Sequence, residues 1–251
     1  GEVVTCKVDE ENRNKTRCNH SSAHLLQKAL QTHLGNHVHQ HGSQVSSEYC
    51  RFDFNNFNNL TDEDLLTIEK LVNDHINQNT EVITHVVSIE EAKAMGAMAL
   101  FGEKYGNVVR VVDMDWSKEL CGGTHVANTG DIKHFAICSC ESIGSGIYRI
   151  LASTGDNYME VLKENLHNIM TDLNAVLDKT NALLADYKAK GFTSKVLMQT
   201  NYDLNALGYQ YIIELRKRVL CAKEYLKNLT KEYNELNSKN ALSSVSEFDK
   251  Y

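Results

Sequence analysis

The chain has 251 residues, 42% of them hydrophobic and 24% charged, with a net charge of −7. That length and balance suit a globular protein with a sizeable core, in one large domain or two ordinary ones. They exclude a membrane-spanning helix, because no apolar run nears the ~20 residues that one needs, and a freestanding nucleic-acid binder held by bulk positive charge.

Residues 1–8 alternate weakly and read as a strand end. The opening Gly-Glu-Val-Val-Thr-Cys lacks the basic and apolar regions of a secretory signal, so a cytoplasmic chain is expected. Residues 19–34 read as a strong helix, with Leu25, Leu26, Leu30 and Leu34 spaced near 3.6 and Gly35 as a stop. His37, His39 and His41 alternate with Val38 and Gln40 in a strand-like run that Gly42-Ser43 breaks. Arg51-Phe52-Asp53-Phe54 alternates as a second strand. Thr61-Asp62-Glu63-Asp64 is an acidic helix entry, followed by an amphipathic stripe of Leu65, Ile68, Leu71, Val72 and Ile76.

Residues 82–87 form a strand. The next helix starts at Ser88 as N-cap with Glu91 completing a capping box, and runs through Ala92 and Ala94 toward Met98. Residues 108–112 are a β-branched strand, and 132–140 and 146–152 are two more. Cys138 and Cys140 alternate along one of them and read as small buried hydrophobes on one face. With seven cysteines, irregularly spaced, metal binding is favoured over disulfides. The elements show no regular βαβ repeat, so an α+β fold, a two-layer sandwich, is predicted.

After Gly155 the pattern changes. Met159, Leu162, Leu166, Ile169, Leu173 and Val176 follow heptad spacing. Beyond a break near Gly191, so do Ile212, Leu215, Val219, Ala222, Leu226, Leu229, Tyr233 and Leu236. An antiparallel helical hairpin is predicted for 157–251, with a dimeric coiled coil as its rival. The tail from Ser238 is polar and expected to fray.

Two motifs carry chemistry. His20-Ser21-Ser22-Ala23-His24 places two imidazoles on one helix face. Cys121-Gly122-Gly123-Thr124-His125 offers a thiolate and a third imidazole from a turn, whose glycines permit a tight backbone and close approach. Thiolate with imidazole favours Zn2+ over magnesium or calcium. The first motif is not the metalloprotease helix, because Ser21 stands where that helix needs a glutamate base. His33 and His37 repeat the spacing and serve as an internal control. Four protein ligands would close a tetrahedral site, whereas catalytic zinc keeps a place for water. The carboxylates of Asp53, Glu103 and Asp113 lie near the motifs but read as surface or strand-pairing groups.

Several segments occur in a telling order: Asn19-His20-Ser21-Ser22-Ala23-His24-Leu25-Leu26, Gly42-Ser43, Arg51-Phe52-Asp53-Phe54, Gly96-Ala97-Met98-Ala99-Leu100-Phe101-Gly102-Glu103-Lys104-Tyr105-Gly106 and Cys121-Gly122-Gly123-Thr124-His125. Over roughly residues 1–155 this resembles the editing domain of bacterial alanyl-tRNA synthetases. Threonyl-tRNA synthetase editing domains share the ligand pattern, but the segment from Gly96 points to the alanyl branch.

The resemblance implies hydrolysis of tRNA(Ala) mischarged with serine or glycine. It implies zinc ligation by His20, His24, Cys121 and His125. Gln40 matches a glutamine of the editing pocket, and Arg149 an arginine near it. Tyr148 replaces a position that is often basic in the family. Cys121, Gln40 and Thr124 are the catalytic candidates, and Gly122, Gly123 and Arg149 the substrate-binding ones. The backbone N–H groups of Gly122 and Gly123 would face a developing oxyanion. A hydrogen bond from Gln40 or Thr124 to the seryl hydroxyl would reject alanine.

On that resemblance, neither the class II activation core nor the family's glycine-rich C-terminal globular domain is expected among these 251 residues. The expected identity is a C-terminal piece of a synthetase. It comprises an editing domain over 1–156 and a helical linker over 157–251. The expected partners are the tRNA(Ala) acceptor end, the remainder of the synthetase chain and a second copy through the C-terminal helices. The alternative is a zinc-stabilised tRNA-binding or dimerisation module without activity of its own.

Overall fold

The computed structural model describes residues 2–99, 105–156 and 158–248, with side chains through residue 241. The chain divides into two compact units, Gly1–Asn165 with Leu207–Tyr209, and Leu166–Ala206 with Gln210–Tyr251. Among the described residues no helix is long and apolar enough to cross a membrane. The architecture is α+β with antiparallel sheets.

The first unit holds two sheets. Strands β1 (Gln40–Val45), β2 (Cys50–Asn55), β6 (Phe135–Gly144) and β7 (Ile147–Thr154) form one, in the order β1-β2-β7-β6. Cys50, Phe52 and Phe54 of β2 and Tyr148, Ile150 and Ala152 of β7 are buried on one face, as the two-residue period of a strand requires. Helix α1 (Glu10–Leu34) covers that face. Ser22 Oγ lies 3.7 Å from Cys50 Sγ, and Thr154 Oγ1 donates to Asn19 Oδ1 at 2.8 Å. Helix α2 (Asp62–Asn77), capped by Thr61 in a capping box with Asp64, joins it there. Asn73 Nδ2 donates to the Phe135 carbonyl at 2.8 Å.

The second sheet has the order β3-β4-β5, from β3 (Ile83–Ser88), β4 (Val108–Asp113) and β5 (Lys118–Leu120). Val109, Val111 and Leu120 pack with Ala92 of α3 (Ile89–Ala94) into a small apolar cluster. By strand alternation Arg110, Val112 and Glu119 turn to the other face, and there the sheet meets α1, with Ser117 Oγ 3.4 Å from the His24 carbonyl. Helix α1 therefore has a sheet on each of two sides.

Several expectations change. Residues 2–8 form no strand, and α1 begins nine residues earlier than its apolar spacing. That added stretch is polar; Asp9 caps it by accepting the Asn12 N–H, and Glu11 pairs with Lys15 at 2.7 Å. Gly42-Ser43 lies inside β1 instead of ending it. The register shifts between Gln40 and Gly42, a bulge that moves the strand past Asp53, and a Cβ on Gly42 would meet Asp53 Oδ2 at 3.2 Å. Helix α3 stops at Ala94, ahead of Gly96 at φ 73°. A second bulge, between Ile137 and Ser139, breaks the alternation expected of Cys138 and Cys140. Cys138 is buried and Cys140 half-buried. The segment Leu100–Lys104, with Glu103, lies outside the described residues. The first unit also extends past residue 156, because α4 (Tyr158–Asn165) packs on β6 and β7 and buries Leu162.

The second unit is helical but is not the expected antiparallel hairpin. Helix α5 (His167–Ala189) buries Leu173, Thr180 and Tyr187, seven residues apart. Helix α6 (Tyr209–Phe248) buries Ile212, Leu215, Val219, Ala222 and Leu229. Tyr187 Oη donates to the Leu229 carbonyl at 2.9 Å and to Glu232 at 3.0 Å, while Lys190, further along, reaches Asn237 at 2.8 Å. Contacts that advance together on both helices mean that the helices run the same way. The stretch between them travels backward along α6, with Ser194 on Glu232 at 2.6 Å and the Asp203 N–H on Glu214 at 2.8 Å.

Candidate metal centre

Two periodicities assemble the site. On α1, His20 and His24 stand one turn apart. On β5 and its continuation, Glu119 and Cys121 stand two residues apart, so both turn away from the Leu120 cluster and toward α1. One ligand atom from each of His20, His24, Cys121 and His125 lies within 4.8 Å of the others. His20 Nε2 is 3.5 Å and His125 Nε2 3.4 Å from Cys121 Sγ.

The outer nitrogens are held as well. His20 Nδ1 is 3.2 Å from the Thr124 carbonyl. His125 Nδ1 is 3.1 Å from Ser21 Oγ, which also accepts the Val126 N–H at 3.2 Å. His24 Nδ1 lies 3.4 Å from Glu119 Oε2, inside ion-pair range but without hydrogen-bond alignment. Burial, then the imidazoles of His125 and His20, holds His24 well below its ordinary pKa. Burial also lowers His20 and drives His125 down to about 3. Burial pushes Glu119 the other way, up to about 8. At neutral pH the three imidazoles are uncharged, the form that offers lone pairs to a metal.

The turn between the second pair of ligands is clamped. The Arg110 guanidinium donates to the carbonyls of Cys121 at 2.9 Å and Gly123 at 2.5 Å, and to Thr84 Oγ1 at 3.3 Å. The Gly123 N–H points at Cys121 Sγ at 3.4 Å. Gly123 admits no side chain, since a Cβ there would sit 2.1 Å from His20 Cε1, whereas Gly122 faces open space.

The remaining expected residues are placed differently. Gln40 opens β1 opposite Phe54, half-buried. Thr124 is exposed and contributes its carbonyl. Arg149 grips Asp53 through two bonds, of 2.8 and 2.7 Å, on the sheet face that α1 does not cover, so the metal cluster and Arg149 lie on different layers. Asp113 pairs with Lys118 at 2.6 Å, as a strand-pairing group. The control pair separates, with His33 on Asp64 at 2.7 Å and His37 on Asn56 at 2.8 Å.

Ser21, Arg110 and Glu119 went unrecognised in the sequence. Each carried a signal: a hydroxyl between two ligands, a lone charge within a valine strand, and a carboxylate two residues before a ligand.

The donor set fits zinc. It joins a borderline-soft thiolate to three neutral imidazoles, with one ligand atom of each residue within 4.8 Å of the others.

A family model described as the threonyl and alanyl tRNA synthetase second additional domain matches residues 109–150. The alanine–tRNA ligase of Acholeplasma laidlawii is 45% identical over 191 residues, 76% of this chain and 22% of that protein. Alanine–tRNA ligase 1 of Lachnoclostridium phytofermentans is 53% identical over 171 residues, 66% of this chain and 20% of that protein. The enzyme of Petrotoga mobilis is 43% identical over 211 residues, 84% of this chain and 24% of that protein. The chain thus spans about a fifth to a quarter of the length of these curated relatives.

Proposed function

The chain belongs to the alanine–tRNA ligase family, and from that premise we propose that its first unit is an editing hydrolase. It cleaves the ester that joins serine or glycine to tRNA(Ala). The observation that carries this reading is the ligand cluster, which unites residues 101 apart in sequence beside a glycine turn.

His20, His24, Cys121 and His125 would hold the zinc ion, which when bound supplies positive charge beside the scissile ester. Gly123 directs its N–H to the ligand sulfur. Gly122, whose Cβ position faces open space, would offer its N–H to the developing oxyanion. Arg110 fixes the two carbonyls of that turn, so the donor is aimed before substrate arrives. Thr124 orients His20 through its carbonyl, and its hydroxyl, with Gln40, reads the seryl hydroxyl. Arg149 binds Asp53, and any contact with substrate would come from the outer sheet face.

The tRNA(Ala) acceptor end is the macromolecular substrate, and the rest of a synthetase chain the covalent partner. The second unit is the helical linker, with a second copy as its partner in a dimer. A second reading, a zinc-stabilised binding module without activity, draws on the complete four-ligand set, the pattern of structural zinc.

Deacylation of seryl- and alanyl-tRNA(Ala) by the zinc-loaded chain, beside Cys121→Ala, separates the two. Hydrolysis of the seryl ester alone, abolished in the variant, is expected. Stoichiometric zinc with no hydrolysis of either ester would favour the module.

A further inference from the structure

The least satisfied group at the centre is the outer nitrogen of His24. His20 and His125 each have a hydrogen-bond partner for Nδ1, in the Thr124 carbonyl and Ser21 Oγ. His24 Nδ1 is buried without one, although Glu119 Oε2 lies 3.4 Å away. Both side chains are buried, at 8% and 9% exposure. Glu119 is itself tied down, since Ser117 Oγ donates to Glu119 Oε1 at 3.3 Å and lies 3.4 Å from the His24 carbonyl. A buried carboxylate has a desolvation cost that evolution seldom tolerates without a partner, and the one imidazole nitrogen facing it is the one left over.

We propose that Glu119 is a positioning residue for the metal centre: it accepts the His24 Nδ1–H, fixes the tautomer that leaves Nε2 for the ion, and sets the ring angle. Ser117 holds the carboxylate in place for that contact. The inference rests on the reading of the cluster as a zinc site. The geometry on which it depends is independent of Cys121, His20 and His125. Glu119 and Cys121 share one face of a strand, so the same backbone segment delivers a ligand and the support of another ligand. Carboxylate support of a metal-bound imidazole raises its basicity and lowers the entropy lost on binding.

The test is zinc affinity, by chelator competition, of the wild-type chain, Glu119→Ala and Glu119→Gln, with cobalt(II) absorption and urea unfolding on each. Glutamine keeps an acceptor oxygen. Glu119→Ala is expected to lose about 10- to 100-fold in affinity and to shift the cobalt bands, while Glu119→Gln recovers most of both. Equal affinities and identical cobalt spectra in all three would overturn the proposal. So would equal losses in the two variants that track lost folding stability, which is the mark of a packing role. A wild-type chain that binds no zinc would overturn the metal reading, and this proposal with it.

Discussion

The four-stranded sheet meets α1 with Phe52, Phe54 and Ile150, whereas the three-stranded sheet meets it with Arg110, Glu119 and the strand that leads into Cys121. One helix thus has a stripe selected for burial, through Asn19, Ser22, Leu26 and Leu30, and another selected for chemistry, through His20 and His24. The difference teaches how a domain can afford a polar, partly desolvated cluster: the hydrophobic stabilisation comes from the opposite face of the same element. The two sheets should therefore respond to substitution in different quantities, stability for one and ligation for the other.

Phe52→Ala attacks the first sheet. It should cost about 3–5 kcal/mol in urea unfolding, while chains that remain folded keep one zinc each. Loss of zinc at denaturant concentrations where the chain is still folded would erase the distinction between the sheets. The same layer contains Glu69, which accepts the N–H groups of Ile137 at 2.7 Å and Tyr209 at 2.9 Å. Burial outweighs those bonds and raises its pKa from 4.5 to about 7. The native state then holds a proton that the unfolded state has lost between those values, so stability falls as pH rises across the window. The full effect is at most about 3 kcal/mol, and Glu69→Gln should flatten that slope in unfolding measured from pH 4 to 8.

The second sheet should answer in affinity. Gly123→Ala drives a methyl group into the His20 ring and should lower zinc affinity about 10- to 100-fold, whereas Gly122→Ala, which meets no protein atom, should leave zinc affinity nearly unchanged. Equal effects at the two glycines would mean that the turn is not packed as described. Arg110→Ala frees the turn and should lower zinc affinity by about 10-fold, measured against chelator, with little change in unfolding midpoint.

Much of this layout is written locally in the chain. The leucine spacing of α1 and the imidazoles one turn apart read directly, as do the acidic helix entry at Thr61 and the capping box at Ser88. Strand β5 did not, because three residues are too few to display a period. Arg110 and Glu119 also escaped, since their meaning depends on which strand face meets α1, a tertiary fact. The bulge at Gly42 resembles a turn in sequence, because glycine serves both. The direction of α6 relative to α5 had no local signal at all; heptads specify a seam and not the path that the connection takes.

That path has a consequence of length. Between Glu214 and Glu232 the axis of α6 advances about 27 Å, at 1.5 Å per residue. The returning segment from Ser194 to Asp203 covers that distance with nine peptide steps, which reach about 30–32 Å when fully drawn out. It is a largely extended tether that meets α6 through the side chains of Glu232 and Glu214. A turn of helix within it would take up about 6 Å of its reach, so deletions there should be less tolerated than insertions.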